Sequence, residues 1–164
     1  LVEIGFDGYG FGARHVDAEG NFMEDAVRQT AELIPKNSLR FALGVGTPED
    51  IVRFVNLGWD MFDCVIPTRE GRHGRLFLRK GLISNSSLHQ GRESFYETIN
   101  INNEKYKEDF LPVDPQCGCA LCKDYSRSYL RHLFAMKDPL AMRLAATHNL
   151  KFYMDLMEEL RTHI

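Results

Sequence analysis

The sequence lacks several features that define other classes of protein. Its 164 residues contain no run of eighteen or more apolar residues, so no membrane-spanning helix is expected. Its first residues lack the charged and then apolar order of a secretory signal peptide, which favours a cytoplasmic protein. Its net charge is -3, so the chain as a whole is not a basic nucleic-acid binder, and any basic surface must be local.

The chain also lacks an initiator methionine and begins at Leu1, within a segment that alternates apolar and polar residues like a strand. We therefore expect a piece of a longer protein. The composition that is present, 44% hydrophobic and 26% charged residues, is ordinary for one soluble globular domain with a sizeable core. The sequence shows no internal repeat and no low-complexity tract.

Strand and helix patterns alternate in the first half of the chain. Strands are predicted for residues 1–9, 40–46 and 60–66, and helices for residues 24–34 and 48–58. Thr47 is predicted to cap the second helix with Pro48 at its first position, and Pro67 is predicted to end the last strand. Strand, helix and strand with short connections predict parallel β/α units, although three strands are too few for a closed barrel.

The second half of the chain changes character. Residues 78–110 are polar and rich in serine and asparagine, which predicts a long excursion containing a hairpin. Residues 123–136 and 138–161 carry apolar residues at helical spacing, and Asp138 with Pro139 repeats the pattern of a cap followed by proline. We therefore predict three parts: β/α units in residues 1–77, a polar insertion in 78–110 and a helical subdomain in 111–164.

Three cysteines predict a metal site. Cys117, Cys119 and Cys122 form a C-x-C-x2-C pattern, and three thiolates with one imidazole make a closed tetrahedral zinc set, which is structural rather than catalytic. The alternatives are a disulfide or free thiols, which the expected cytoplasmic setting disfavours. His148 is the candidate fourth ligand, and spacing alone leaves His132 as an alternative. The fourth cysteine, Cys64, is interpreted as a small buried hydrophobe.

A carboxylate followed by arginines marks the end of the third predicted strand. Asp63 would lie at the carboxyl edge of a β/α sheet, where such folds place their chemistry, so it is a candidate nucleophile or general base. The alternative is that Asp63 is only a cap or an ion-pair partner of Arg69 or Arg72, and that the arginines belong to a solvated loop. One carboxylate beside a flexible, glycine-punctuated arginine segment suits a reaction at a sugar carbon whose flanking phosphates must be held. No second carboxylate for such chemistry is evident.

Four motifs together resemble one family. GFDGYGFG, LGVGTPEDIV, MFDCVIPTREGRHG and C-x-C-x2-C-x25-H occur in this order in the tRNA-guanine transglycosylases, also called queuine tRNA-ribosyltransferases. The chain closely resembles their C-terminal half from about Ile4 to Arg161, apart from residues 78–95. The resemblance implies the last strands of a (β/α)8 barrel with a zinc-binding helical subdomain. It also implies exchange of guanine at the anticodon wobble position of tRNA for a 7-deazaguanine, with Asp63 as the nucleophile.

The resemblance also implies roles for other residues. The implied ligands of one structural zinc ion are Cys117, Cys119, Cys122 and His148. The implied RNA contacts are Gly44, Val45, Gly46, Thr47, Pro48, Glu49, Asp50, Thr68, Arg69, Glu70, Gly71 and Arg72. The implied base contacts are Gly12, Ala13 and Leu43. Two positions depart from the family pattern: threonine stands at position 47 for the usual lysine, and Ala13-Arg14 stands for the usual Gly-Leu.

Some of the implied machinery lies outside these 164 residues. The general acid/base aspartate and most base-binding side chains of the family belong to the N-terminal half of the barrel, so we expect the chain alone to be inactive. A complementary N-terminal half or a homo-oligomer would cover the exposed barrel edge. The expected ligands are tRNA, through its anticodon loop, and a 7-deazaguanine base. The alternatives are a non-catalytic RNA-binding or partner subunit and an enzyme that inserts 7-deazaguanines into DNA.

Overall fold

A computed structural model describes residues 1–81 and 95–163 of the chain. The chain divides into two compact units, Leu1–Val65 and Ile66–Ile164, and each has its own hydrophobic core. This division differs from the expected three parts, which stay a prediction. Residues 82–94 of the expected polar insertion lie outside the described residues.

The first unit is a three-stranded parallel sheet with two helices. Its elements in chain order are a 3-10 helix Val2–Ile4, β1 Gly8–Phe11, α1 Glu24–Leu33, β2 Leu39–Leu43, α2 Pro48–Asn56 and β3 Met61–Asp63. The sheet has the order β1-β2-β3, and both pairings are parallel. The prediction of parallel β/α units is therefore confirmed.

Polar side chains bond to backbone groups at one end of each helix in the first unit. The hydroxyl of Thr47 accepts a hydrogen bond from the backbone N–H of Asp50 at 3.3 Å, so Thr47 caps α2 as predicted. The guanidinium of Arg40 donates to the carbonyls of Ala31 and Ile34, both at 3.1 Å. These carbonyls are at the C-terminal end of α1, where no further helical turn supplies N–H donors, although the carbonyl of Ala31 also accepts from the N–H of Ile34 at 3.3 Å.

An aromatic core fills the first unit. Phe54 is fully buried and Trp59 is 2% exposed, and their ring centroids are 5.7 Å apart. The indole N–H of Trp59 donates to the carbonyl of Val27 at 3.3 Å, which satisfies the only polar atom of that side chain. Phe11 at the end of β1 packs on both rings. This packing holds the three strands and both helices together.

Three sequence-based boundaries in the first unit are wrong, and one of them is the end of the second strand, which lies at Leu43 rather than at residue 46. Residues 1–9 do not form one strand, because an exposed 3-10 helix ends at Gly5 with φ of +78° and pairing with β2 begins only at Gly8. The third strand ends at Asp63 rather than at residue 66, and Pro67 does not end it. Pro67 lies instead in the first turn of the helix Ile66–Arg72. Proline is tolerated there because the N–H that it lacks would have no partner within the helix.

The second unit combines a two-stranded sheet with helices. Its elements are α3 Ile66–Arg72, β4 Arg75–Arg79, β5 Tyr96–Asn100, a 3-10 helix Glu104–Tyr106, α4 Ala120–Asp124, α5 Arg127–Ala135 and α6 Pro139–His163. Strands β4 and β5 pair antiparallel, with Phe77 opposite Thr98. The sequence predicts a hairpin within residues 78–110, whereas the first strand of this pair begins before them, at Arg75. The segment 68–72, expected to be flexible, is helical instead, so that expectation is wrong.

The C-terminal helices follow the sequence pattern with one correction. Residues 123–136 form no single helix, because the chain breaks after α4 and the hydroxyl of Ser126 caps α5 by accepting from the N–H of Tyr129 at 3.2 Å. The last helix, α6, is confirmed and has 25 residues. Among the described residues, no helix is both long and apolar enough to cross a membrane.

Helix α3 packs closely on α6. A Cβ atom added at Gly71 would lie 2.8 Å from the Cα and N atoms of Ala146, which is closer than real side chains come. Glycine at position 71 therefore lets the two helix backbones meet. The contact fixes the C-terminal turn of α3 on the long helix.

Candidate functional site

The four predicted metal ligands lie together in the second unit. The donor atoms of Cys117, Cys119, Cys122 and His148 are all within 4.8 Å of one another. Nδ1 of His148 is 3.5 Å from the sulfur of Cys119 and 3.3 Å from that of Cys122. A tetrahedral zinc ion with ordinary bond lengths separates sulfur from nitrogen by about 3.6 Å. The cluster therefore fits a structural zinc ion, and His148 rather than the exposed His132 completes it.

The backbone before and within α4 presents the sulfurs. Cys119 is the residue that precedes α4, and Cys122 lies inside that helix. The carboxylate of Asp114, which is 4% exposed, accepts from the N–H of Gln116 at 2.9 Å and from the N–H of Arg79 at 3.1 Å. Asp114 thus fastens the cysteine loop to β4. Sequence reasoning missed it, because Asp114 has no characteristic spacing from the cysteines.

The orientation of His148 leaves the correct nitrogen for the metal. The side chain is fully buried, and its Nε2–H donates to the carbonyl of Phe77 at 2.8 Å. The other ring nitrogen, Nδ1, faces the sulfurs and is the atom that would bind a metal ion. A hydrogen bond from the second ring nitrogen to a backbone carbonyl is the usual way in which proteins orient a zinc-binding histidine.

Hydrogen bonds among the sulfurs prepare one of them for metal binding. Bonds with the thiols of Cys117 and Cys122 hold the pKa of Cys119 far below its ordinary value, because a thiolate is the better acceptor. The pKa of Cys122 is raised by its bonds with Cys117 and Cys119 and by burial. A bound metal would displace the remaining thiol protons, since thiolates are the ligands of zinc.

A second buried polar residue lies next to His148 and was missed by sequence reasoning. Asn149 is fully buried. Its side-chain oxygen accepts from the N–H of Phe77 at 3.1 Å, and its nitrogen donates to the carbonyls of Pro67 at 3.0 Å and Arg75 at 2.9 Å. An amide in the buried face of a helix was the available signal, but asparagine in a helix is usually exposed.

The carboxylate predicted as nucleophile lies at the carboxyl edge of the parallel sheet in the first unit. Asp63 is the last residue of β3 and is exposed. One oxygen, Oδ1, accepts from the N–H of Gly44 at 2.9 Å. Gly44 has φ of +72°, a backbone conformation that favours glycine. Within Leu1–Val65, where every residue is described, Oδ2 makes no hydrogen bond.

The residues predicted to contact the base end neighbouring strands or follow them. Leu43 is the last residue of β2 and lies opposite Asp63 in the register. Gly12 and Ala13 come directly after β1 and are exposed. Since the three strands are parallel, their carboxyl ends share one edge of the sheet. The fold thus brings these residues to the same edge as the carboxylate, whereas contact with a base stays a prediction.

The predicted RNA segment 44–50 is only partly open. Gly44 and Thr47 are exposed, whereas Val45, Gly46 and Pro48 are buried. Burial of these three leaves Gly44, Thr47 and the half-buried Glu49 and Asp50 for any contact with RNA.

The carboxylate of Asp50 is held by neighbours in its own unit. It accepts from the hydroxyl of Thr47 at 2.7 Å and pairs with Arg53 at 3.3 Å. Nε2 of His15 lies 3.2 Å from it, and the His15 ring packs edge-on against Phe54. His15 was missed by sequence reasoning, because it is 35 positions from Asp50 and shares no motif with it.

The predicted RNA-binding arginines lie on α3 in the second unit. Arg69 and Arg72 are both exposed. Glu70 pairs with Arg69 at 3.3 Å and with Arg75 at 3.6 Å. Arg72 makes no ion pair with the described residues of its own unit, which are 66–81 and 95–163. An ion pair between Asp63 and either arginine of α3 stays a prediction, since they belong to different units.

Comparison with known proteins agrees with these motifs. A family model described as queuine tRNA-ribosyltransferase matches residues 1–164. The match runs across residues 78–95, whose interpretation as an insertion stays a prediction.

Curated relatives bear the same name. Proteins named queuine tRNA-ribosyltransferase are 44% identical in Blochmanniella pennsylvanica and 43% identical in Thermoanaerobacter sp., in each case over all of this chain and 40% of the relative. One from Halothermothrix orenii is 42% identical over 98% of this chain and 39% of the relative. The chain spans about two fifths of the length of these relatives. The family match over the whole chain, together with these identities, shows that the chain belongs to the queuine tRNA-ribosyltransferase family.

Proposed function

We propose that this chain supplies the nucleophile and part of the RNA-binding surface of a tRNA-guanine transglycosylase. The whole protein would exchange guanine at the anticodon wobble position of tRNA for a 7-deazaguanine, a precursor of queuosine. The observation that carries the proposal is Asp63, an exposed carboxylate fixed by one backbone N–H at the carboxyl edge of a parallel sheet. The name shared by the relatives supports the reaction class.

The first half of the proposed reaction cleaves the bond between ribose and guanine. An oxygen of Asp63 attacks C1′ of the wobble ribose, and a C1′–O bond forms as the C1′–N9 bond breaks. The electron pair of the broken bond goes to N9 of guanine, which takes a proton from a general acid. Gly44 N–H holds Oδ1, so Oδ2 is the atom directed to attack. The product is a covalent ester between Asp63 and the tRNA.

The second half reverses the same chemistry with another base. The incoming 7-deazaguanine gives up the proton on N9 and attacks C1′, and the ester bond to Asp63 breaks with its electron pair returning to the carboxylate. Two displacements at one carbon restore the original configuration, as in retaining glycosidases. No external energy source is required, because one glycosidic bond replaces another.

Arginines and a helix end are proposed to hold the RNA. Arg69 and Arg72 on α3 are exposed and can form charge-assisted hydrogen bonds to phosphates. The nine-residue helix α2 begins at Pro48, and the backbone N–H groups of its first turn favour an anion. Thr47 brings no charge to this position, so we expect a weaker phosphate contact there than lysine would give.

The base would lie along the strand ends. We propose that the backbone of Gly12 and Ala13 and the side chain of Leu43 contact the base beside Asp63. These residues end or follow the strands next to the carboxylate. Arg14, in place of the family's leucine, is expected to alter base preference.

The zinc ion is proposed to be structural. Cys117, Cys119, Cys122 and His148 would occupy all four tetrahedral positions, which leaves none for substrate. When bound, the ion supplies cross-links between the cysteine loop and α6. The protein's own side chains carry out the exchange.

The 164 residues by themselves are proposed to be inactive. The chain spans about two fifths of its relatives, and the family's general acid/base belongs to the remaining part. The three parallel strands of the first unit are proposed as the last strands of a (β/α)8 barrel. A complementary N-terminal part, or self-association, would complete it.

The experiment that tests the proposal is to trap the covalent intermediate. The full-length protein and the 164-residue chain are each incubated with an anticodon-stem-loop RNA, and adducts are separated on denaturing gels. We expect an adduct with the wild-type full-length protein, none with its Asp63→Asn variant and none with the 164-residue chain. The matched control is Asp7→Asn, which changes another exposed carboxylate of the first unit and should leave the adduct intact.

Other outcomes identify the alternatives. RNA binding without any adduct in the full-length protein would mean a non-catalytic subunit. An adduct with a DNA hairpin but not with RNA would mean an enzyme acting on DNA. Base exchange by the isolated chain at the rate of a full-length relative would refute the predicted inactivity.

A further inference from the structure

Among the described residues, side chains rather than a third strand pair with the second edge of β4. Strand β5 pairs with one side of β4. On the other side, the carbonyl of Arg75 and the N–H of Phe77 bond to Asn149, the carbonyl of Phe77 bonds to His148, and the N–H of Arg79 bonds to Asp114. All three partners are at most 4% exposed. An edge satisfied in this way holds the strand in one register.

Two consecutive residues of α6 therefore bond to different backbone groups of the same residue of β4. His148 donates a hydrogen bond from Nε2–H to the carbonyl of Phe77, and its Nδ1 faces the cysteine sulfurs. The side-chain oxygen of Asn149 accepts a hydrogen bond from the N–H of Phe77. Any movement of the metal ligand His148 along α6 would displace Asn149 as well, because both are on one turn of a rigid helix.

Asn149 also reaches the arginine helix. Its Nδ2 donates to the carbonyl of Pro67 at 3.0 Å, in the first turn of α3, and to the carbonyl of Arg75 at 2.9 Å. Both donors of the amide and one of the two acceptor sites of its oxygen are used. Aspartate at this position would lose both donors, and leucine would leave three backbone groups unsatisfied.

Two contacts thus hold α3 on α6. Asn149 ties its first turn, and the close approach of Gly71 to Ala146 ties its last turn. The side chains of Arg69 and Arg72 are on the same short helix and are exposed. Their direction is set by α6, which in turn is fixed by the metal cluster through His148.

We propose that Asn149 is a positioning residue that couples the zinc site to α3, so that metal occupancy sets how Arg69 and Arg72 are presented. The part of this inference that concerns RNA rests on the proposed function. The structural coupling does not, because it depends only on contacts within the second unit. The two parts can therefore fail separately.

The first measurement is hydrogen exchange of the wild-type full chain with and without a zinc chelator, at a low temperature at which far-UV circular dichroism shows that the zinc-free second unit keeps its helices. We expect the amides of α3 to exchange at least about tenfold faster without zinc, because a hydrogen-bonded anchor is lost. The amides of α2 in the first unit serve as the internal reference and should change little. Unchanged protection of α3 in a chain shown to have lost its zinc would overturn the proposal.

The second measurement uses variants of the loaded chain. Asn149→Asp should keep about one zinc per chain while α3 exchanges faster and the affinity for an anticodon-stem-loop RNA falls at least about threefold. Thr147→Ala, an exposed neighbour on α6, should change none of these. Normal zinc, normal α3 protection and normal affinity in Asn149→Asp would overturn the proposal.

The remaining outcomes are also decisive. If Asn149→Asp does not retain zinc, the chelator measurement on wild type decides the coupling. If wild type binds no RNA, the RNA-contact part of the proposed function fails, whereas hydrogen exchange still decides whether Asn149 couples the metal site to α3.

Discussion

The metal cluster in the second unit is enclosed by the chain's own residues, whereas Asp63 in the first unit is an exposed carboxylate held through one backbone N–H. At the cluster the four ligand atoms lie within 4.8 Å of one another, and His148 and Asn149 are fully buried. At the strand end, one carboxylate oxygen has no hydrogen bond within its unit. The metal cluster thus has no position for a substrate, whereas Oδ2 of Asp63 is left to react with one.

This difference predicts where stability and chemistry separate. Residues around the cluster should carry a large share of the folding free energy of the second unit and take no part in the exchange. Asp63 should contribute almost nothing to folding and everything to the covalent step. The substitutions below test this contrast, beginning with the largest expected effect on stability.

Loss of a zinc ligand should have the largest effect. Structural zinc contributes roughly 10–16 kcal/mol in zinc-finger peptides, which is comparable with the whole stability of a domain of about 5–15 kcal/mol. We therefore expect Cys119→Ser to lose zinc and to unfold the second unit at 37 °C. Metal analysis and far-UV circular dichroism would show this.

The control for that substitution is Cys64→Ser. Cys64, expected to be buried, is half-buried in the first unit and lies outside the cluster. It should retain about one zinc per chain. A Cys119→Ser protein with a full complement of zinc and an unchanged melting curve would contradict the structural role of the metal.

Removal of the central aromatic ring of the first unit comes next. Phe54 is fully buried and its ring packs edge-on against Phe11, Phe22 and Phe62. Phe54→Ala should lower the free energy of unfolding by about 3–5 kcal/mol through the cavity it leaves. Chemical denaturation followed by Trp59 fluorescence measures this loss, and zinc content should not change. Loss of zinc together with the first unit would mean that the two cores are not independent.

Crowding the contact between α3 and α6 should have a smaller effect. Gly71→Val places side-chain atoms against the backbone of Ala146, and overpacking of this kind costs about 1–3 kcal/mol. The control Gly118→Ala adds a Cβ that meets only the end of Lys123, at 3.9 Å. Thermal unfolding of both variants is compared. Equal stability of the two would argue against a close packing of α3 on α6.

The sequence predicted the parts of both sites that depend on local spacing. Three cysteines within six positions allow one turn to present them, and Thr47 with Pro48 defines a helix start from neighbouring residues alone. The resemblance to a family supplied His148, which spacing could not distinguish from His132. These elements were predicted because each depends on chemistry within a few residues of the chain.

The sequence did not predict contacts that join distant segments. Asn149 bonds to residues 72 to 82 positions away, and Asp114 to Arg79 across 35 positions. The helix over Ile66–Arg72 was also missed, because Pro67 was interpreted as the end of a strand when it was compatible with the first turn of a helix. Such contacts depend on tertiary packing, which local patterns do not contain.

The smallest effect on stability, and the largest on chemistry, is expected at Asp63. Asp63→Asn keeps an oxygen that can accept from Gly44 N–H, and surface substitutions of this kind change the free energy of unfolding by about 0.5 kcal/mol or less. An amide is a poor nucleophile, so covalent adduct and base exchange in the full-length protein should disappear. Denaturation curves and denaturing gels on the same preparations measure both quantities. A stable variant without adduct would separate chemistry from folding at the strand end, as the contrast with the zinc cluster requires, whereas a variant that still forms the adduct would place the nucleophile elsewhere.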